Sequence, residues 1–218
     1  RMLSVTLDGT FHMSRAVWPL MAAQGYGRIV NTTSNAGFAG NETLAHYGAA
    51  KLGVAGLTKC MAQEVGDSGI CVNAVAPMAV TRMNREVFFG GAVVEGENWR
   101  EDIASGKVPM GPAEIVAPTV LWLAHRSTTL NGEIFSSSSG KVARVGFVVG
   151  QGYFNPHHGP EELRDNAEAI LRHLQAEVLL EPGVPRIGQV GGRERPGDEL
   201  ELELVAQDDV HAVGDLVR

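Results

Sequence analysis

The sequence is poor in cysteine and lysine, and each shortage closes off a class of function. Only two cysteines, Cys60 and Cys71, occur in 218 residues. Both sit in apolar segments without metal-ligand spacing, so reduced, buried thiols are expected rather than a disulfide framework or a zinc site. Four lysines and fourteen arginines are scattered among 25 acidic residues, for a net charge of -7. A nucleic-acid surface would need a basic stripe, and there is none. No apolar run approaches the roughly 18 residues that cross a bilayer, and the start lacks the charged-then-apolar layout of a secretory leader. The expectation is a soluble cytoplasmic protein that engages neither nucleic acid nor membrane. The chain also opens on Arg1 rather than methionine, directly in a helical pattern, and so reads as a piece whose beginning is absent.

What is present is an alternation of helical and strand-like segments, with enough apolar residues (44%) for one ordinary core. Leu7, Phe11, Trp18 and Met21 recur at helical spacing between Leu3 and Gln24, with Gly25 as a stop. Arg28–Ser34 is a short β-branched run without alternation, the mark of a buried parallel strand ending in small polar residues. A loop with two glycines is expected at 35–41, then a helix over Thr43–Val65 that Gly66 terminates. Gly69–Pro77 reads as a second buried strand stopped by its proline, and residues 82–110 as irregular. A short helix at Glu114–His125, with Pro118 in its first turn, precedes a third strand at Gly132–Phe135. Strands separated by helices of this length imply crossover connections and a parallel sheet, hence an α/β fold. Further on, the spacing predicts a helix over Pro160–Leu174, a Pro/Gly/Arg-rich linker at Glu181–Gly197, and a half-exposed strand at Glu199–Val205.

The chemistry concentrates at Tyr47 and Lys51. Four positions apart on a helix, their side chains share a face. A phenol is a poor base at neutral pH, and an ammonium one turn away favours its phenolate form, which can exchange a proton with a substrate hydroxyl or carbonyl. An exposed helix carrying a stray tyrosine and lysine is the competing reading. Ser34 weighs against it. It ends a buried strand thirteen residues earlier, where α/β sheets present ligands, and its hydroxyl can donate to a reacting oxygen. The plainer role for Ser34 alone is a strand-end cap.

The segments GRIVNTTSNAG, HYGAAKLGVAGLTKCMAQEV and ICVNAVAPMAVTRM together resemble the second half of a short-chain dehydrogenase/reductase. The resemblance implies a Rossmann-like, doubly wound parallel sheet, lacking its first βαβ units in this chain. It implies catalytic roles for Ser34, Tyr47 and Lys51, with Tyr47 and Lys51 also contacting the nicotinamide ribose, and a cofactor of NAD or NADP closed over by Pro77, Val80 and Thr81. The family's usual Pro-Gly is here Pro77-Met78, and Asn73 matches a structural asparagine. SVTLDGTF, VAPTVLWLAHRSTTLNGEIF and SGKVARV are similar to the D-3-hydroxyacyl-CoA dehydrogenase subgroup found in peroxisomal multifunctional β-oxidation enzymes and their single-domain bacterial relatives. That likeness implies a 3-hydroxyacyl or 3-oxoacyl thioester substrate. It also divides the chain into a catalytic half at 1–140, a subgroup extension at 141–180 and a tail of unknown role at 181–218. A homo-oligomer through helices 3–24 and 45–65 is the family expectation. Thr6 stands where many members carry a catalytic asparagine. The family's glycine-rich phosphate turn has no counterpart, since Gly25-Tyr26-Gly27 precedes a strand instead of following one.

Other candidates are weaker. His157 and His158, adjacent in a Pro/Gly loop, read as solvated rather than as metal ligands, and the acidic run from Asp198 to Glu203 as a solvated strand face. Met83, Val87, Phe88 and Trp99 are pocket candidates on the substrate lid; Met110 joins them, while Trp122 reads as core. The leading expectation is an oxidoreductase interconverting a secondary alcohol and a ketone. One alternative is a non-catalytic oligomerisation or binding module that takes no dinucleotide. Another keeps the chemistry with a different ketone.

Overall fold

Three apolar runs become parallel strands because helices of adequate length separate them. The computed structural model describes residues 1–171 other than 83, 85–97, 107–109, 148 and 150–151, all within one compact unit, Arg1–Gly188. The readings for Met83, Val87, Phe88, the linker at 181–197 and the alternating segment at 199–205 lie outside the described residues, as does the acidic run at 198–203. Strands β1 (Gly27–Thr32), β2 (Ile70–Met78), β3 (Ile134–Ser138) and β4 (Lys141–Arg144) form one sheet in the order β1-β2-β3-β4. β1 lies parallel to β2 from Gly27↔Ile70 to Thr32↔Val75, and β2 parallel to β3 from Ala74↔Ile134 to Met78↔Ser138. β4 turns back antiparallel on β3. The two residues between them, Ser139 and Gly140, both have positive φ, the requirement of a tight mirror-image hairpin turn.

Helices cover both faces of the sheet. On one face α1 (Gly9–Ala23) and α3 (Ala45–Glu64) bury Ile29, Ile70 and Val72 against Met61, Ala62, Val17, Trp18 and Met21. On the other, α5 (Ala117–Ala124) and the 3-10 turn Ala113–Ile115 close over Val75 and Phe135 with Leu123 and Val116. The central strand β2 is buried almost throughout, as a strand covered on both faces should be. Two asparagines fasten the loop before β3 to β2. Asn73, fully buried, donates to the Leu130 carbonyl (2.7 Å) and accepts from the Glu133 N–H (2.9 Å). Asn131 accepts from the Val72 N–H (3.0 Å) and donates to the Ala62 carbonyl (2.8 Å).

Several boundaries differ from the sequence reading, each for a local physical reason. β2 runs through Pro77 instead of stopping there. In a parallel ladder alternate residues face opposite neighbours, and the Ala74 N–H is given to Glu133 of the β3 side. Pro77, three residues on, therefore faces the β1 side, where pairing has already ended at Val75, and its missing N–H costs no ladder bond. The helix α3 starts at Ala45, not Thr43, because Thr43 has φ +64°. Residues 35–39, read as loop, form the helix α2 (Asn35–Ala39). Within the segment read as irregular, α4 (Trp99–Ala104) is helical. The helix read at Pro160–Leu174 is two short pieces, α6 (Pro160–Asp165) and α7 (Ala167–Leu171), within the described residues.

Two burial expectations fail. Cys60 is exposed on α3 and Cys71 half-buried, so neither is a core thiol. Trp122 is 48% exposed; it meets Phe135 edge-on while the rest of its ring faces outward.

Candidate active site

Ser34 caps one helix, Tyr47 and Lys51 share another, and two glycines pack these helices together. Ser34 lies just past β1 with extended backbone and is the N-cap of α2, its Oγ accepting the Ala36 N–H at 3.2 Å. Capping uses a lone pair and leaves the hydroxyl proton to donate, so the capping role and the donor role coexist on one residue. α2 then packs directly on α3 through glycines. A Cβ on Gly37 would stand 2.9 Å from the Leu52 backbone nitrogen, and one on Gly48 would stand 3.1 Å from the Ala36 carbonyl oxygen. This close approach holds the helix that Ser34 caps against the first turns of α3, where Tyr47 is the immediate neighbour of Gly48.

Lys51 projects from the next turn of α3. Its Nζ lies 5.8 Å from the centroid of the Tyr47 ring and donates to the Thr32 carbonyl at the tip of β1, 2.9 Å away. Burial lowers the pKa of this ammonium from its ordinary value. An ammonium has three N–H donors. Thr32 is its acceptor among the described residues, so the remaining donors suit vicinal hydroxyls such as those of a cofactor ribose.

Thr6 lies on the five-residue π-helical turn Ser4–Asp8 that leads into α1. Its carbonyl accepts the Thr10 hydroxyl at 2.6 Å. Thr6 and Lys51 both line a groove of about 630 Å³ between α1 and the outer edge of β1. Ser34, Tyr47, Pro77, Val80 and Thr81 are not on its wall.

The residues after β2 make a separate turn beyond the strand end. Pro77 is exposed at the strand end. Val80 pairs with Pro112 and gives its N–H to the Gly111 carbonyl at 2.8 Å. Asn84 organises the turn that follows. Its Oδ1 accepts from the Thr81 N–H (2.6 Å) and hydroxyl (3.2 Å), while its amide donates to the Ala79 carbonyl (2.7 Å). Sequence reasoning passed over Asn84, although Thr-x-x-Asn is a spacing that folds on itself through side-chain to backbone bonds. Asn35 was also missed; its amide reaches Ser136 of β3 at 3.1 Å and ties α2 to the sheet.

Trp99 begins α4, and Met110 directly precedes Gly111. α4 sits over Gly111, where a Cβ would come within 2.7 Å of Ile103 and 3.4 Å of the Trp99 ring, and Met110 is buried. Among the described residues no group of three or more His, Cys, Asp or Glu is placed to hold a metal ion, and His157 and His158 are exposed. No helix among them is long and apolar enough to cross a membrane.

Comparison with known proteins identifies the family. Residues 1–89 match the short chain dehydrogenase family. The chain is 37% identical over 155 residues (71% of its length, 16% of the relative) to the peroxisomal hydratase-dehydrogenase-epimerase of Saccharomyces cerevisiae. It is 36% identical over 145 residues (64% and 54%) to the 3-oxoacyl-[acyl-carrier-protein] reductase of Synechocystis. A crystal structure of a short chain dehydrogenase from Mycobacterium avium superposes with a TM-score of 0.61 at 30% identity, covering 86% of this chain and 59% of that one. The chain belongs to the short-chain dehydrogenase/reductase family, whose members are oxidoreductases. It spans less than two thirds of the length of each of these relatives.

Proposed function

We propose that the chain carries the catalytic corner of an NAD- or NADP-dependent dehydrogenase that interconverts a 3-hydroxyacyl and a 3-oxoacyl thioester. The observation that carries this reading is the half-buried Lys51, which shares the Tyr47 face of α3 and is tied to the strand tip that leads into Ser34. The relatives support the substrate class, one being named as a 3-oxoacyl reductase and another as a hydratase-dehydrogenase-epimerase. A bound nicotinamide would supply the hydride acceptor or donor at the reacting carbon. In the oxidation direction the Tyr47 oxygen takes the proton of the substrate hydroxyl as the carbinol C–H electron pair departs with its hydrogen, and a C=O bond results. The Ser34 hydroxyl donates to that same oxygen and orients it. Lys51 offers its free N–H donors to the ribose and favours the ionised phenol by its charge. Pro77, Val80 and Thr81 form the wall that a nicotinamide ring would meet. Trp99 and Met110 border the acyl side.

Tyr47→Phe in the natural full-length protein tests the assignment. Turnover of acetoacetyl-CoA should fall by about a hundredfold or more, while NAD(H) or NADP(H) still binds by fluorescence titration. An active phenylalanine variant would overturn the role of Tyr47. Failure of the full-length protein to bind either dinucleotide would favour the module without a cofactor.

The apolar side chains left outward on the first helical segment and on α3 (Leu3, Phe11, Met13, Leu20 and Leu52) support a homo-oligomer through these helices. Sedimentation of the wild type beside Leu20→Glu should show the glutamate variant dissociating.

A further inference from the structure

We infer that Thr33 is a positioning residue for the reaction proposed above, a conclusion that rests on that reading. Thr33 is 1% exposed and stands between the end of β1 and Ser34. Its backbone N–H extends the ladder, reaching the Val75 carbonyl at 2.8 Å. Its hydroxyl donates to the backbone carbonyl of Lys51 at 2.6 Å. That carbonyl sits inside α3, where helix geometry already gives it the N–H of Ala55 as a partner. The Thr33 bond is therefore an additional tie from the strand to this one turn of α3.

Lys51 is consequently held at both ends by adjacent residues of one strand tip. Its main chain is held by the Thr33 hydroxyl, and its ammonium by the Thr32 carbonyl at 2.9 Å. Ser34 follows immediately along the backbone, and Tyr47 lies one turn back along the helix. This buried hydroxyl thus adds to the glycine contacts of α2 in fixing the distance between the element that carries Ser34 and the element that carries Tyr47 and Lys51. Thr33 itself is turned toward α3 and makes no contact with substrate in this scheme. Its effect passes through Lys51 and the register of the helix. Loss of the tie lets α3 drift from the strand tip, and sub-ångström misplacement of reacting groups lowers turnover without a matching loss of binding.

Thr33→Val keeps the shape and removes the donor, whereas Thr33→Ser keeps the donor. In the full-length protein, with acetoacetyl-CoA and the reduced dinucleotide, Thr33→Val should lower kcat by roughly ten- to a hundredfold with KM for both substrates unchanged. With 3-hydroxybutyryl-CoA in the oxidation direction, the acidic limb of the kcat profile should move to higher pH, because a displaced ammonium favours the ionised phenol less. Thr33→Ser should restore both. A Thr33→Val enzyme with wild-type kcat and pH profile would overturn the proposal. So would one whose kcat, KM and thermal midpoint fall together without rescue by serine, since that pattern marks a merely structural role. Tyr47→Phe run in parallel separates the layers: if it stays active the reading of the site fails, and if it is dead while Thr33→Val is normal only the positioning role fails.

Discussion

The strand-tip corner and the segment after β4 differ in what their polar side chains bind and how deeply. At the corner, side chains bind backbone: Thr33 to the Lys51 carbonyl, Lys51 to the Thr32 carbonyl, and Ser34 to the Ala36 N–H. Arg28 does the same at the far end of β1, its guanidinium donating to the carbonyls of Gly27, Gly69, Arg126 and Thr128. After β4, side chains also bind each other, nearer the surface. Tyr153 and Asn155 both donate to the Glu162 carboxylate on α6. Nearby Phe147, Val149 and Phe154 remain largely in water. A bond to buried backbone has little freedom to re-form elsewhere, and leaving its partner unsatisfied is costly; exposed side-chain pairs exchange readily with solvent. The first region can hold atoms to a fixed geometry. The second holds only a local shape.

Substitutions can break or sharpen this contrast. The largest stability effect is expected from Asn73→Ala, which strands the Leu130 carbonyl and the Glu133 N–H inside the core. Denaturant unfolding should show a loss of about 3 kcal/mol. Gly37→Ala comes next. Its Cβ meets backbone rather than a flexible side chain, so α2 must move off α3, at a cost of about 2 kcal/mol. Turnover should fall out of proportion to stability because Ser34 moves with α2; an alanine variant with normal kcat would show that the glycine contact does not set the geometry.

Tyr153→Phe should have the smallest effect. The Tyr153 hydroxyl, and secondarily the Asn155 amide, hold the Glu162 carboxyl below its ordinary pKa. A depressed folded-state value means that this pairing contributes fully above the ordinary carboxylate range and is lost as pH falls through the lowered value. The tyrosine, its own pKa raised chiefly by the same bond to Glu162, loses its share as pH rises through that raised value. Thermal melts of wild type and Tyr153→Phe should therefore nearly coincide at neutral pH and converge further in acid.

Much of the sheet was legible because its strands are short β-branched runs that nothing else explains. VNTTS and ICVNAVA have no helical period, and Gly27 and Gly69 fall where the strands begin, although β2 runs one residue past Pro77. The Tyr47–Lys51 face was legible for the same reason of period, four residues being about one helical turn. α2 was not. NAGFA carries a glycine and follows a serine, which locally reads as turn, and only the Ser34 cap and the seat on Gly48 make it helical. Trp122 was misplaced because α5 (APTVLWLA) is apolar on nearly every side, so its sequence does not say which face meets the sheet. The bonds of Thr33 and Asn35 were invisible, since each joins residues that only the tertiary fold makes neighbours.

The uneven ends of the strands have one more consequence. β2 continues to Met78 while its pairing with β1 ends at Val75, which leaves a ledge beside the end of β1 with Pro77 as its tread. An imide nitrogen carries no hydrogen, so that tread offers a hydrocarbon ring and no donor. A planar heterocycle resting there would take its hydrogen-bond donors from other residues.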